Sequence, residues 1–248
     1  MHTQTTYPRT TTLITALSYL LMFFAAIFAN FVVIEGLINP DDAAQTITNI
    51  TTDLFSYRLG LIAFIIILLC DLLVSWGLYI LLKHVNQPLS LLAAWTRLVY
   101  TAIFAIAIFN LFDILTLVTN PLHINLLTPN QRGSQILLAH DAFHYSWLAA
   151  LIFFALHLAL LGRLVYQSPY FPKLIGILLT ISATTYLLDS LAQFLLTNYA
   201  DYADLMLMLV ALPSLLAELG LTLWLLYHTI RPPQDQPLTS TPSPLSSA

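Results

Sequence analysis

The chain has 248 residues, of which 58% are hydrophobic and only 8% charged, with a net charge of −4 and a mean hydropathy of +0.82. Soluble domains carry roughly 25% charged residues, so this composition excludes a water-facing globule, and the few basic groups exclude a nucleic-acid partner. A single cysteine, Cys70, excludes an intramolecular disulfide.

Residues 1–12 form a polar, Thr-rich N-terminus expected to be cytoplasmic, with Arg9 as its strong base. The first apolar run, residues 13–34, is longer than the roughly 7–15 residues of a signal-peptide core and predicts a retained spanning helix. Asn39-Pro40-Asp41-Asp42 stops that helix and starts another, with Asp41 or Asp42 as its cap. Ala43, Ile47, Ile50 and Leu54 then recur at helical spacing and predict one short external amphipathic helix on the membrane surface. The sequon Asn49-Ile50-Thr51 lies within it and carries little weight.

Five further spans follow at residues 57–82, 89–119, 135–166, 171–197 and 203–230, each longer than the ~20 residues that cross the hydrocarbon. Tight proline-containing connections at 84–88 and 167–170 make the second and third spans, and the fourth and fifth, antiparallel hairpins. Residues 231–248, rich in Pro, Ser and Thr, read as a disordered cytoplasmic tail. The expected fold class is all-α: a polytopic integral membrane protein with six transmembrane helices over residues 13–230. Arg9, Lys83, Arg97, Arg163, Lys173 and Arg231 fall at one set of helix ends, and Arg58 and Arg132 at the other. By the positive-inside rule both termini face the cytoplasm, in a bacterial inner membrane.

Ionisable groups within spans cost about 2.5–3.5 kcal/mol each on insertion scales, so they face a polar interior. Here they are Asp71, Asp113, Asp141, His144, His157, Asp189 and Glu218, with Arg97 near a cytoplasmic end. Three stripes at helical spacing accompany them: Asp71, Ser75 and Tyr79; Ser182, Thr185, Asp189 and Gln193; and Ser214, Glu218 and Thr222 just after Pro213. Together they predict a polar core. Counting depth divides it into an outer group (His140, Asp141, His144, Asp113, Asp189) and an inner group (Asp71, Glu218, His157). Asp113 and Asp189 also each precede a Thr-Asn pair that closes a span, a faint echo of the kind transporter repeats show, which Leu-rich helices also produce by chance.

Two chemistries fit these groups. His140 and His144, one helical turn apart, can supply half a tetrahedral zinc shell, completed by Asp189, Asp113 or Glu35; the bland reading has both histidines bonded to water and loop carbonyls. A haem is not expected, since it would need paired histidines on a second span. The inner carboxyls Asp71 and Glu218 fit a proton- or cation-coupled path, or else pair with Arg97, His157 and hydroxyls and lock helix packing. Trp76, Trp95, Trp147 and Trp224 read as interfacial or packing residues.

A string of motifs resembles an uncharacterised bacterial membrane family, domain of unknown function 4386. It comprises Pro40-Asp41-Asp42-Ala43-Ala44, Arg58-Leu59-Gly60, Cys70-Asp71, Leu91-Leu92-Ala93-Ala94 with Arg97-Leu98, Phe153-Phe154-Ala155-Leu156-His157 with Leu161-Gly162, Pro172-Lys173 with Gly176, and Tyr186-Leu187-Leu188-Asp189-Ser190. Ala155 and Ser146 stand where that family has glycine. The resemblance implies a multi-span bacterial membrane protein and brings no activity.

Three readings of function stand open. The first is binding or translocation of a small solute or cation through the polar core. The second is a membrane-embedded, metal-dependent hydrolase of a lipid-like substrate, with zinc or another divalent metal generating hydroxide. The third is a non-catalytic scaffold or accessory subunit.

Overall fold

A computed structural model of the chain describes residues 8–230. The expected disordered tail, with Arg231, and the first seven residues of the polar start lie outside these. The helices are α1 (Arg9–Leu37), α2 (Ala43–Thr52), α3 (Leu54–Leu82), α4 (Gln87–Thr119), α5 (Pro121–Leu126), α6 (Pro129–Gln167), α7 (Lys173–Leu195) and α8 (Ala203–Ile230), the last preceded by a 3-10 turn, Tyr199–Tyr202. No strand occurs among the described residues. Where every backbone amide must be satisfied without water, a long apolar run has the helix as its local solution. Six spans meet that demand: α1, α3, α4, α6, α7 and α8 are long and apolar enough to cross a membrane, with Tyr199–Tyr202 continuing into the last. The protein is an all-α polytopic membrane protein.

Polar side chains at the boundaries set where the helices begin. Asp42 accepts from Gln45 N (2.9 Å), Asp53 from Ser56 N (3.2 Å) and Asn86 from Leu89 N (3.0 Å). Thr128 and Gln131 form a reciprocal capping box ahead of Pro129. That box starts α6 at Pro129, six residues before the apolar run, because two orphan donors are satisfied there. Asn120 and Pro121 likewise start α5, a short helix in what reads as a loop. The α1 helix extends beyond residues 13–34 at both ends, and within it Phe28–Ile34 widens to a π-helix.

One consequence at these ends concerns α2. Asp42→Ala removes its cap and is expected to cost about 1 kcal/mol. Faster amide hydrogen exchange, confined to the first turn of α2, is the readout.

The surface helix α2 is docked on the bundle end. Its buried face is Thr46 and Ile50, both fully covered, whereas Leu54 already belongs to α3. Thr46 exchanges hydrogen bonds with Asn39 N (2.8 Å) and O (2.9 Å). A Cβ at Gly133 of α6 would stand 2.7 Å from that of Ala43, so glycine is what lets α2 approach.

The six spans close a ring in chain order: α1 packs on α3, α3 on α4, α4 on α6, α6 on α7, α7 on α8, and α8 back on α1. With six spans, Arg9 and Ile230 share one end. Small residues let the backbones close up. A Cβ at Gly60 would come within 2.6 Å of Val33, and one at Gly77 would overlap Thr15, both across α1 and α3. Outside, large apolar side chains lie exposed on every span, among them Phe24, Leu69, Phe109, Leu156, Leu188 and Leu212. Such an apolar surface belongs in a lipid bilayer.

Candidate functional site

Ring closure brings one depth of every helix to a shared centre. Tyr19, Asp71, Arg97, His157 and Glu218 each stand about ten to twelve residues from the helix end on the side of the termini. At 1.5 Å per residue that is about 15–18 Å, near the middle of a bilayer ~30 Å thick. Arg97 therefore lies well inside the bundle, 1% exposed, and not among the basic residues at the helix ends.

Arg97 is the hub. Its guanidinium carries five N–H donors, and each finds an acceptor. Nε donates to Asp71 Oδ1 (3.0 Å) and Nη2 donates to the same oxygen. Nη1 donates to His157 Nε2 (3.2 Å) and Tyr19 Oη (3.4 Å), and Nη2 also reaches Met22 Sδ (3.7 Å). His157 Nδ1 lies 2.8 Å from the carbonyl of Ala93 and must be the donor there. That fixes the tautomer: Nε2 keeps a lone pair for Arg97, and the imidazole is neutral. The guanidinium also lies 5.4 Å and 5.6 Å from the ring centres of Tyr19 and Phe154. One cation thus ties α1, α3, α4 and α6 together.

Two carboxyl groups remain beyond what this hub satisfies. Both Arg97 bonds to Asp71 go to Oδ1, so Oδ2 is buried with no partner. Glu218, half-buried on α8, makes no hydrogen bond or ion pair through its carboxyl among the described residues. Both residues line a central cavity of about 190 Å³ to which all six spans contribute, with Asn30 of the π-helical segment and Tyr186 of α7 also on its wall. At ~30 Å³ per water it holds on the order of six waters. Besides three tyrosine hydroxyls, its ionisable groups are one guanidinium and two carboxyls. When both carboxyls are ionised, the cavity carries an unmatched negative charge.

The hydroxyl stripes divide differently. Ser75 donates across to Ala94 O (3.0 Å) and Ser90 to Tyr79 O (3.2 Å), which fastens α3 to α4. Ser182, Thr185, Ser214 and Thr222 bond carbonyls of their own helices. Pro213, about one and a half turns before Glu218, has no N–H to give the carbonyl of Leu209.

At the other end, His144 Nε2 and Gln193 Oε1 lie 3.1 Å apart. Gln193 in turn donates to Asp189 Oδ2 (2.9 Å) and Tyr199 to Asp189 Oδ1 (2.6 Å). The arrangement is a hydrogen-bonded chain joining α6 and α7 to the turn before α8. His140 keeps a buried Nδ1 without a partner, while Asp113, Asp141 and Glu35 are exposed. Among the described residues no three His, Cys, Asp or Glu side chains group as metal ligands. Tyr19, Asn30, Tyr100, Trp147 and Tyr186 are among the cavity residues that sequence reasoning did not place there. Shared depth from one helix end was the available signal for Tyr19.

Residues 14–228 match the model of a family described as domain of unknown function (DUF4386). The chain is also 32% identical over 135 residues to an uncharacterised protein of Archaeoglobus fulgidus, an alignment covering 54% of this chain and 67% of that relative. That relative is archaeal, so these likenesses do not carry the expectation of a bacterial source. No solved structure matches the chain.

Proposed function

The chain belongs to the DUF4386 family, and from that premise we propose that it is a membrane protein whose central cavity binds a small solute or cation and lets it cross. The observation that carries this reading is the surplus of carboxyl groups. Asp71 Oδ2 and Glu218 border a space of about 190 Å³ at mid-membrane depth, with every guanidinium N–H already taken. Burying a charge without a partner is costly, and packing alone gives no reason to keep a second carboxyl there. A solute that supplies positive charge or N–H donors gives such a reason. Arg9, Lys83, Arg163 and Lys173 at the end bearing the termini, against Arg58 and Arg132 at the other, support an orientation with both termini cytoplasmic.

The test is flux across proteoliposomes of sodium, potassium, ammonium and protons, for the unmodified chain, Asp71→Asn and Glu218→Gln. The reading expects flux of at least one of these to fall tenfold or more in Glu218→Gln, with an altered pH profile. Flux and pH dependence unchanged in both variants would rule it out.

A further inference from the structure

We propose that the ligand of the central cavity is a small organic ammonium ion, held by Glu218 and by aromatic faces. This deepens the reading above and rests on it.

The cavity wall decides between a metal ion and an organic cation. Hard metal ions are held by six or more oxygens, carboxylates foremost, and here only three carboxylate oxygens are unclaimed. These are Asp71 Oδ2 and the Glu218 pair, while the other side-chain oxygens on the wall are neutral: Asn30 Oδ1, whose Nδ2 donates to Ala26 O, and the hydroxyls of Thr222, Tyr19, Tyr100 and Tyr186. Aromatic rings fill much of the remaining wall: Phe23 from α1, Tyr100 and Phe104 from α4, Trp147 from α6 and Tyr186 from α7. Aromatic faces attract cations, most strongly where water is excluded. The protein already uses that mode with its own cation, since the Arg97 guanidinium lies over Tyr19 and Phe154. The cavity, about 190 Å³, suits an ion of a few heavy atoms. Trp147, on the same wall, also keeps a buried indole N–H with no acceptor, a donor for an oxygen carried by the same ligand.

The side-chain inventory is consistent with that ligand. The charge of an ammonium balances Glu218. Its alkyl groups cover ring faces without asking them for hydrogen bonds. Any N–H it carries meets Asp71 Oδ2. A neutral molecule of equal size would leave an ionised Glu218 unmatched, and an alkali ion would leave the ring faces uncovered.

Isothermal titration of the full chain in lipid nanodiscs tests this, with tetramethylammonium chloride as the probe. Sodium chloride serves as the inorganic cation and tert-butanol as an uncharged molecule of similar size. Saturable binding of tetramethylammonium is expected, weakened about tenfold or more by Glu218→Gln and several-fold by Phe23→Leu. Glu218→Gln keeps the size of the side chain, and Phe23→Leu removes the ring while leaving the Arg97 hub untouched. Sodium binding that displaces tetramethylammonium and depends on Glu218 would overturn the organic class while leaving a cation cavity in place. Binding of tert-butanol equal to that of tetramethylammonium, indifferent to Glu218→Gln, would overturn the requirement for charge. No binding by any of the three would overturn this inference, and the flux comparison above then decides separately whether the cavity is a pathway at all.

Discussion

Arg97→Met is expected to destabilise the bundle by about 3–5 kcal/mol, the cost of removing one partner from a buried ion pair. In a chain of this size that lowers the unfolding midpoint on the order of 10 °C. Four helices lose a shared anchor at once. Asp71 is left with neither oxygen paired, His157 Nε2 and Tyr19 Oη lose their donor, and a hole opens beside Phe154. Removing the second charge should reverse much of the loss. Arg97→Met combined with Asp71→Leu replaces a buried pair by packing atoms, a change that is often neutral or favourable. Thermal unfolding followed by size-exclusion monodispersity reads both variants. A single variant as stable as the parent would remove Arg97 as the hub of the fold.

The second large effect lies at the crossing of α6 and α7. A Cβ at Gly176 would meet Tyr166 N at 2.7 Å, Gly162 O at 2.8 Å and Tyr166 Cα at 2.9 Å. All three are backbone atoms on a long helix, so no side chain can swing aside and the two helices must part. Gly176→Ala is expected to cost about 1–3 kcal/mol and Gly176→Val more. Gly220 on α8 supplies the internal control. There the nearest atom, Ile175 Cγ1, stands at an ordinary 3.7 Å. Gly220→Ala adds helix propensity without a clash and should stabilise by about 0.5–1 kcal/mol. Opposite signs for the same chemical change, read as unfolding midpoints, are the expected result.

Much of this architecture was legible from the chain. An apolar run longer than the hydrocarbon has few alternatives to a spanning helix, and the proline turns after α3 and α6 left little freedom in topology. Boundaries were harder where polar residues continue a helix. Thr128-Pro129-Asn130-Gln131 reads as a loop by hydropathy, yet its capping box makes it the first turn of α6.

The site was only half legible. Asp71, His157 and Glu218 stood out because charge within an apolar run is costly. Arg97 carries the same signal but was assigned to a helix end, since a basic residue near a loop ordinarily lies at the interface. Tyr19 has no such signal alone, because an uncharged tyrosine inside an apolar run reads as a packing residue. What links the five is equal distance from one face of the bundle, a property of the closed ring that no single helix displays. The partners of Asp189 show the converse. Gln193 lies one turn away on the same helix and was on the stripe, whereas Tyr199 lies beyond a helix end, where helical spacing gives no guidance.

On the proposed reading, Glu218 serves a ligand and not the packing of the helices. The measurement that bears on it most directly is the unfolding midpoint of the unmodified chain beside Glu218→Gln. Each is heated alone and then with sodium, potassium, ammonium or tetramethylammonium. An unpaired carboxyl kept for binding weakens the empty protein, so Glu218→Gln should melt at or above the parent temperature. It should also lose a ligand-dependent rise in midpoint that the parent shows with at least one of the four ions. A variant that melts several degrees lower, with neither protein responding to any ion, would contradict the claim and make Glu218 a structural residue.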